Sequence, residues 1–374
     1  MGTNCLGIKR TMPDSKLSET SQTPQTPPLE IANQTVYFQS SEHMDIPDES
    51  VTLVVTSPPY WNVRDYGGDQ IGYGQSYRDY IAALNRVWKE CLRILQPNGK
   101  ICINVQPLPI SADKSGFNFR VIQNIMYDIE AFFCSHHCFL SGMHYWDKSA
   151  YINTVSWGSY PRPTNIASNT SFEQIFTFVK VGKTRKVPKD IMEQSLLKKE
   201  EWRHWAVRCI WDDIIPVIKI NSKGENHFGH SAPFPEDIPY RLIRMHSAIG
   251  ETVVDPFLGS GTTLKIARLL GRRGIGFEIN NSYRKIIQER IMEEWIPPKI
   301  ESGYKTFGFN SLATVIREAI NLGIEKGKTA PVSEISDQVF EKILQSMVKK
   351  GLLTSHQKKK MCEIWRNHPN LTEF

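Results

Sequence analysis

The sequence has no apolar run close to the ~20 residues a helix needs to cross a bilayer, which argues against a membrane protein. It has no basic stretch followed by an apolar one near its start, which argues against secretion and for a reducing, cytoplasmic setting. Its seven cysteines are therefore expected as free thiols. Only Cys134-Ser-His-His-Cys138 brings Cys and His close together, and no second ligand pair at matching spacing accompanies it, so no metal is expected. No internal repeat is present.

What the chain does have is bulk and a mild positive charge. Its 374 residues suffice for one large α/β domain with appendages, and 40% hydrophobic with 22% charged residues describes a folded globular protein. The net charge of +6 suits a polyanionic partner without specifying one.

Residues 1–33 are polar and proline-rich and read as a disordered tail. Thr35 to Phe38 reads as a short strand, and Asp48 to Thr56, with its continuous apolar centre, as a strand buried on both faces of a parallel sheet. Tyr80, Leu84, Val87, Trp88, Cys91, Leu92 and Leu95 recur at helical spacing up to Pro97-Asn98-Gly99. Lys100 to Val105 then gives a strand and completes a βαβ unit. A helix over Phe119 to Phe132 and strands near Phe139 to Trp146 and Gln174 to Val179 continue the alternation. Residues 182–229, with Trp202, Trp205 and Trp211, break the rhythm and read as an insertion. Regularity returns with a helix over Pro239 to His246, a strand over Glu251 to Asp255, a helix over Gly261 to Leu270, a strand over Gly274 to Glu278, and a helix from Asn281 to about Trp295. Beyond Pro297-Pro298, amphipathic patterns over Ser311 to Gly327, Ser333 to Gly351 and Lys358 to Trp365 predict a helical extension. It is either a small DNA-binding helical module or a support for the main domain.

The stretch Asp255-Pro-Phe257-Leu-Gly259-Ser260-Gly261-Thr262-Thr263 is a strand end, a glycine turn and a helix start, where the backbone can curl around a ligand. A phosphate loop would need Gly-Lys-Ser/Thr, and a dinucleotide loop a third glycine where Leu264 stands. Glu278 ends the next strand at about the ~20-residue distance at which doubly wound folds place a carboxylate on ribose hydroxyls. A nucleoside without phosphates, such as S-adenosyl-L-methionine, fits these residues.

Thr56-Ser57-Pro58-Pro59-Tyr60 and the Asp255 to Thr263 loop together resemble the amino-methylating DNA methyltransferases, in the circularly permuted β class, because the serine motif precedes the glycine loop. His230-Ser-Ala-Pro-Phe-Pro-Glu236, Trp157-Gly-Ser-Tyr-Pro-Arg-Pro163 and Glu173-Gln-Ile-Phe-Thr-Phe-Val-Lys180 resemble further segments of that family. The resemblance spans about residues 35–297. It implies a Rossmann-like fold with a mostly parallel seven-stranded sheet: a catalytic half at 34–181, a target-recognition insertion at 182–229, a cofactor half at 230–297 and a helical extension at 298–374. It implies S-adenosyl-L-methionine held by Asp255, Phe257, Gly259, Ser260, Gly261 and Thr262 on the methionine side and by Glu278 on the ribose. Ser231, Phe234 and Pro235 close over it, and Ser40 with Ser41 approaches the adenine.

The implied partner is double-stranded DNA with a specific recognition sequence, and the implied setting is the cytoplasm of a prokaryote, with a cognate restriction endonuclease as a genetic partner and the protein a monomer or dimer. In the cytosine-N4 branch, the Ser57 hydroxyl and Pro58 carbonyl accept the two amino hydrogens. The Pro58 and Pro59 rings stiffen the backbone, and Tyr60 stacks on a base flipped from the duplex. Arg64 and Asp65, in the loop after the motif, are either contacts to phosphate or base or simply solvated loop charges. The rival expectations are adenine-N6 transfer, where Asp or Asn usually replaces Ser57, an RNA methyltransferase, and a non-catalytic DNA-binding protein.

Overall fold

The computed structural model describes residues 27–62, 70–115, 117, 119–149, 157–158, 166–167, 170–217, 235–298, 300, 341–342, 344–345 and 348–349. The chain runs through β1 (Leu29–Ile31), β2 (Gln34–Tyr37), β3 (Val51–Thr56), α1 (Tyr77–Ile94), β4 (Leu95–Val105), β5 (Leu108–Ile110), α2 (Ala112–Ser115), β6 (Val121–Gln123), α3 (Ile125–Ser135), β7 (Cys138–Asp147), β8 (Trp157–Gly158), β9 (Ile166–Ala167) and β10 (Phe172–Lys180). There follow α4 (Lys189–Ser195), α5 (Lys199–Trp205), β11 (Ile210–Trp211), α6 (Asp237–His246), β12 (Thr252–Asp255), α7 (Thr262–Leu269), β13 (Arg273–Phe277) and α8 (Arg284–Met292).

Nine strands pair in the order β1-β2-β13-β12-β3-β4-β10-β7-β11. The run β2-β13-β12-β3-β4 is parallel throughout, and β10 is antiparallel to both of its neighbours. Seven of these strands are the expected Rossmann-like sheet, and the edge strands β1 and β11 extend it. All six residues of β3 are buried and, after the register shift between Val51 and Leu53, they alternate between faces. Val54 packs with Leu84, Trp88, Phe133 and Ile101 on the α1 and α3 side. Leu53 and Val55 pack with Leu242, Ile243, Ile266 and Trp211 on the other. Ser76 caps α1 by accepting the Asp79 N–H.

Several elements differ from the sequence reading. Leu29–Ile31 is not tail but the outer strand of a hairpin, turned by Ala32 and Asn33 at positive φ. Residues 121–123 are strand rather than helix, because they pair with β5, and α3 begins only at Ile125. Pro97-Asn98-Gly99 does not precede β4 but lies inside it as a register shift, with Asn98 at φ 62°. The last helix of the sheet domain opens as a 3-10 turn at Asn281–Tyr283 and stops at Met292. The described part of the irregular segment, 182–217, packs into the domain: β11 joins β7, and Trp205, Trp211 and Ile214 lie in the core. In the C-terminal extension, residues 341–342, 344–345 and 348–349 are helical and Leu344 is buried. The other predicted C-terminal helices lie outside the described residues.

Candidate active site

Three neighbouring parallel strands, β13, β12 and β3, end on the same edge of the sheet, so Glu278, Asp255 and Ser57 emerge together although Ser57 lies far away in sequence. Ligand sites of open α/β sheets lie at such carboxyl ends. A tie centred on Asp255 joins β12 to β3. Asp255 Oδ1 accepts the Thr56 hydroxyl at 2.6 Å and the Phe257 N–H at 3.0 Å, while Oδ2 accepts the Thr263 hydroxyl at 2.6 Å. The carboxylate thus binds the residue before Ser57 to both ends of the glycine turn. Burial pushes its carboxyl up to about 6, against the pull of those three hydrogen bonds.

The turn itself needs its glycines. Gly259 has φ 55° and Gly261, which opens α7, has φ 93°, a region where a side chain strains the backbone. Gly259 donates its N–H to Glu278 Oε2 at 2.9 Å, and Asn280 donates to Oε1 at 2.8 Å. Glu278 is 9% exposed and burial raises its carboxyl to about 7. Phe257 meets the Trp88 ring edge-on at 5.8 Å. Ser260 and Thr262 are buried in the same turn.

On the β3 side the chain leaves the sheet as Ser57-Pro58-Pro59-Tyr60, and the exit is held at Pro59 and Tyr60. The Tyr80 hydroxyl of α1 donates to the Pro59 carbonyl at 2.9 Å. Tyr60 donates its hydroxyl to Glu173 Oε2 at 3.2 Å. Burial and the Glu173 charge raise the phenol well above its ordinary value, so Tyr60 stays protonated. Glu173 heads β10 and is itself gripped by Lys148 Nζ at 2.7 Å and by the Asn104 amide. Lys148 also donates to Gln106 Oε1 at 3.2 Å. Beyond the motif, Asn62 donates its N–H to the Gly72 carbonyl and accepts the Gly74 N–H on its side chain.

A second buried network fixes the entry to α6. Glu236 Oε1 accepts from Lys265 of α7 at 3.1 Å and from Arg290 of α8 at 2.8 Å, and Arg290 also reaches the Thr262 hydroxyl. Pro235, which is buried, is thereby held beside the start of α7.

A family model described as DNA methylase, covering the N6 and N4 methyltransferases, matches residues 51–289. The chain belongs to this DNA methylase family. It is 37% identical over 286 residues to the type II methyltransferase M.MjaI of Methanocaldococcus jannaschii, which covers 69% of this chain and 91% of that one. It is 31% identical to M.MthZI of Methanothermobacter thermautotrophicus over 69% of this chain and 76% of that one. A solved structure from Thermus thermophilus, described as a putative DNA modification methylase complexed with S-adenosyl-L-methionine, aligns at 29% identity with a TM-score of 0.53, covering 69% of this chain and 94% of that one.

The methylase therefore assembles most of the residues singled out from its sequence. Ser57, Pro58, Pro59 and Tyr60 form one exit from β3, and Asp255, Phe257, Gly259, Ser260, Gly261, Thr262 and Glu278 form the adjoining turn and strand end. Ser40 is exposed just after β2, its hydroxyl accepting the Glu42 N–H at 3.2 Å, and Ser41 is buried. Ser231, Phe234, Arg64 and Asp65 lie outside the described residues. Sequence reasoning missed Thr56, Thr263, Asn104, Lys148 and Glu173 as site residues. The signal was present for two of them, since Asn104 and Glu173 are polar residues beside the buried, mainly apolar runs Ile101–Ile103 and Ile175–Phe178 of their strands.

Proposed function

We propose that the protein methylates the exocyclic N4 of cytosine within a specific sequence of double-stranded DNA, using S-adenosyl-L-methionine. The residues fit this cofactor: Glu278 offers a buried carboxylate whose partners are backbone N–H groups, suited to a ribose diol, and the Gly259 to Gly261 turn carries no lysine for phosphates. When bound, the cofactor supplies a methyl group on a positively charged sulfur, open to attack by a nitrogen lone pair. Phe257, Gly259 and Gly261 would shape its methionine side, with Pro235 beside them, while Asp255 keeps the turn in place through Thr56 and Thr263.

The protein's own residues must make a poor nucleophile reactive. The amino nitrogen of cytosine shares its lone pair with the ring, and two acceptors drawn up to its hydrogens favour the tetrahedral form that attacks. Ser57 Oγ and the Pro58 carbonyl are those acceptors, held rigid by two proline rings and by Tyr80 on the Pro59 carbonyl. The base must leave the duplex first, and the Tyr60 ring would receive it. Holding the reactants in line accounts for much of the rate.

The observation that carries the cytosine reading is a hydroxyl, not a carboxylate or carboxamide, at the first motif position beside the Asp255 turn. For the role of target reading expected for 182–229, Trp205, Trp211 and Ile214 would anchor the segment to the core, while Trp202, Val207, Ile210 and Ile215 are exposed and free to face DNA. A cognate restriction endonuclease and a cytoplasmic setting accord with the type II relatives. Digesting host DNA to nucleosides, with and without the gene, tests the reading: N4-methylcytosine is expected only with the gene, and N6-methyladenine in its place would overturn it.

A further inference from the structure

Two aromatic rings beside the reacting groups have no place in the chemistry above. β4 runs parallel to β3 and ends at Val105, on the edge where Ser57 emerges. β5 begins at Leu108 and pairs back through β6, so the β5–β6 hairpin rises from that same edge. α3 then returns along the sheet to the opposite edge, where β7 starts. The root of the hairpin is anchored. Leu108 is buried, Ile110 packs against the core beside α1 and α3, and Gln106 shares Lys148 with Glu173, the acceptor of the Tyr60 hydroxyl. Its far end is not anchored in this way: Phe117 and Phe119 are 63% and 60% exposed, with Ile122 of β6 at 48% and Tyr127 in the first turn of α3 at 72%. A single exposed apolar side chain is ordinary, but four on one hairpin and the turn that follows it mark a contact surface. The two phenyl rings stack on each other, with centroids 5.7 Å apart and planes 26° from parallel. The Ser115 hydroxyl presents them together, donating to the Phe119 carbonyl at 2.7 Å and accepting the Phe117 N–H at 3.1 Å.

We propose that Phe117 and Phe119 form a wedge that enters duplex DNA at the target step and stacks on the bases exposed there when the target flips out. The inference rests on the reading of the protein as a methyltransferase that flips its target base. A flipped nucleotide stays tethered by its backbone, so the duplex is held against the rim of the site, and this hairpin is part of that rim. Flipping unstacks the neighbours of the target and opens a gap in the stack. A flat apolar side chain refills the gap and recovers stacking. Phenylalanine does so without a polar group that needs a partner inside the stack, and its two side-chain torsions leave little freedom to lose. Tyr60 receives the base that leaves, and the phenyl pair occupies what it leaves behind. Every base has a stacking face, so the wedge serves the flipping step and not the choice of sequence.

The test uses the full-length protein and two duplexes, with the recognition sequence taken from sequencing of modified host DNA. One duplex is fully paired, and the other has an abasic site opposite the target base, where flipping breaks no pair. The rate of methyl transfer is measured per cofactor-binding site, so that misfolded protein does not count, and a fluorescent base analogue at the target position reports flipping. The double variant Phe117→Ala, Phe119→Ala is expected to lose about tenfold or more in transfer on the paired duplex and to brighten the analogue less than wild type. On the abasic duplex it should come within about threefold of wild type, with cofactor affinity and melting temperature unchanged. Phe117→Leu with Phe119→Leu keeps an apolar wedge and should stay within about threefold of wild type on both duplexes. Equal loss on both duplexes, or a loss that accompanies a change of oligomeric state in sedimentation, would overturn the inference and assign the rings to a protein contact. Unchanged transfer by the alanine variant on both duplexes would also overturn it. In these cases the flipping reading stands if wild type brightens the analogue; an analogue that stays dark with wild type would overturn that reading together with the inference.

Discussion

In the cofactor half of the site, Asp255 and Glu278 are buried carboxylates held by hydroxyls and backbone N–H groups, and burial raises them to about 6 and about 7. In the catalytic half, Glu173 is equally enclosed but sits against Lys148. The first arrangement leaves a carboxylate whose charge is only partly compensated, able to accept further hydrogen bonds from a ligand or to brace a turn. The second pairs the carboxylate with a cation and holds the Asn104 and Tyr60 side chains around it. One sheet edge thus carries a ligand-responsive region beside a rigid one.

The largest effect is expected from removing the group that faces the target. Ser57→Ala should lower methyl transfer by about 10²-fold or more with cofactor affinity within twofold, read by labelled methyl incorporation and by calorimetry. Next, Glu278→Ala should weaken cofactor binding by about ten- to a hundredfold, the loss of one charge-assisted acceptor. Normal cofactor affinity in that variant would remove the ribose assignment. Asp255→Asn replaces an acceptor of three hydrogen bonds by a group with only one accepting atom, and should cost about 1–3 kcal/mol of stability by denaturant unfolding.

The contrast between the halves also has a pH signature. The raised carboxyl of Glu278 is held best when protonated, so its contribution is full below the ordinary value near 4.5 and is lost as pH rises through about 7. Glu278→Gln cannot titrate there. Its melting temperature relative to wild type, both without cofactor, is expected to rise between about pH 4.5 and 7 and to level off above; a flat difference would refute the raised carboxyl of this group. The smallest effect is expected at Ser40, which caps an exposed turn: Ser40→Ala should change cofactor affinity less than threefold, by less than about 1 kcal/mol.

How far the sequence could be read depended on whether a feature was local. The βαβ units around α1 and α7 were legible because apolar periodicity and glycine turns are properties of neighbouring residues. The strand β6 was misread because Val121-Ile-Gln123 owes its conformation to pairing with β5, which no window around it reveals. That Trp205 and Trp211 anchor the irregular segment to the core was not legible, because their ring partners, Tyr240, Arg241 and His144, come from α6 and β7. The motif and the glycine turn were identified by type and order, yet their bond through Thr56 and Asp255 joins residues 199 positions apart.

By itself the sequence determined which residues end buried strands with a serine, two prolines and a tyrosine, and which turn needs glycine, because those are constraints of backbone geometry within a few residues. Only the tertiary structure decided what stands behind them. Parallel pairing of β13, β12 and β3 brought three strand ends to one edge, and β10, running the other way, delivered Glu173 at its start to the back of Tyr60. The direction of a hydrogen bond depends on which groups meet in space, and that is a property of the fold.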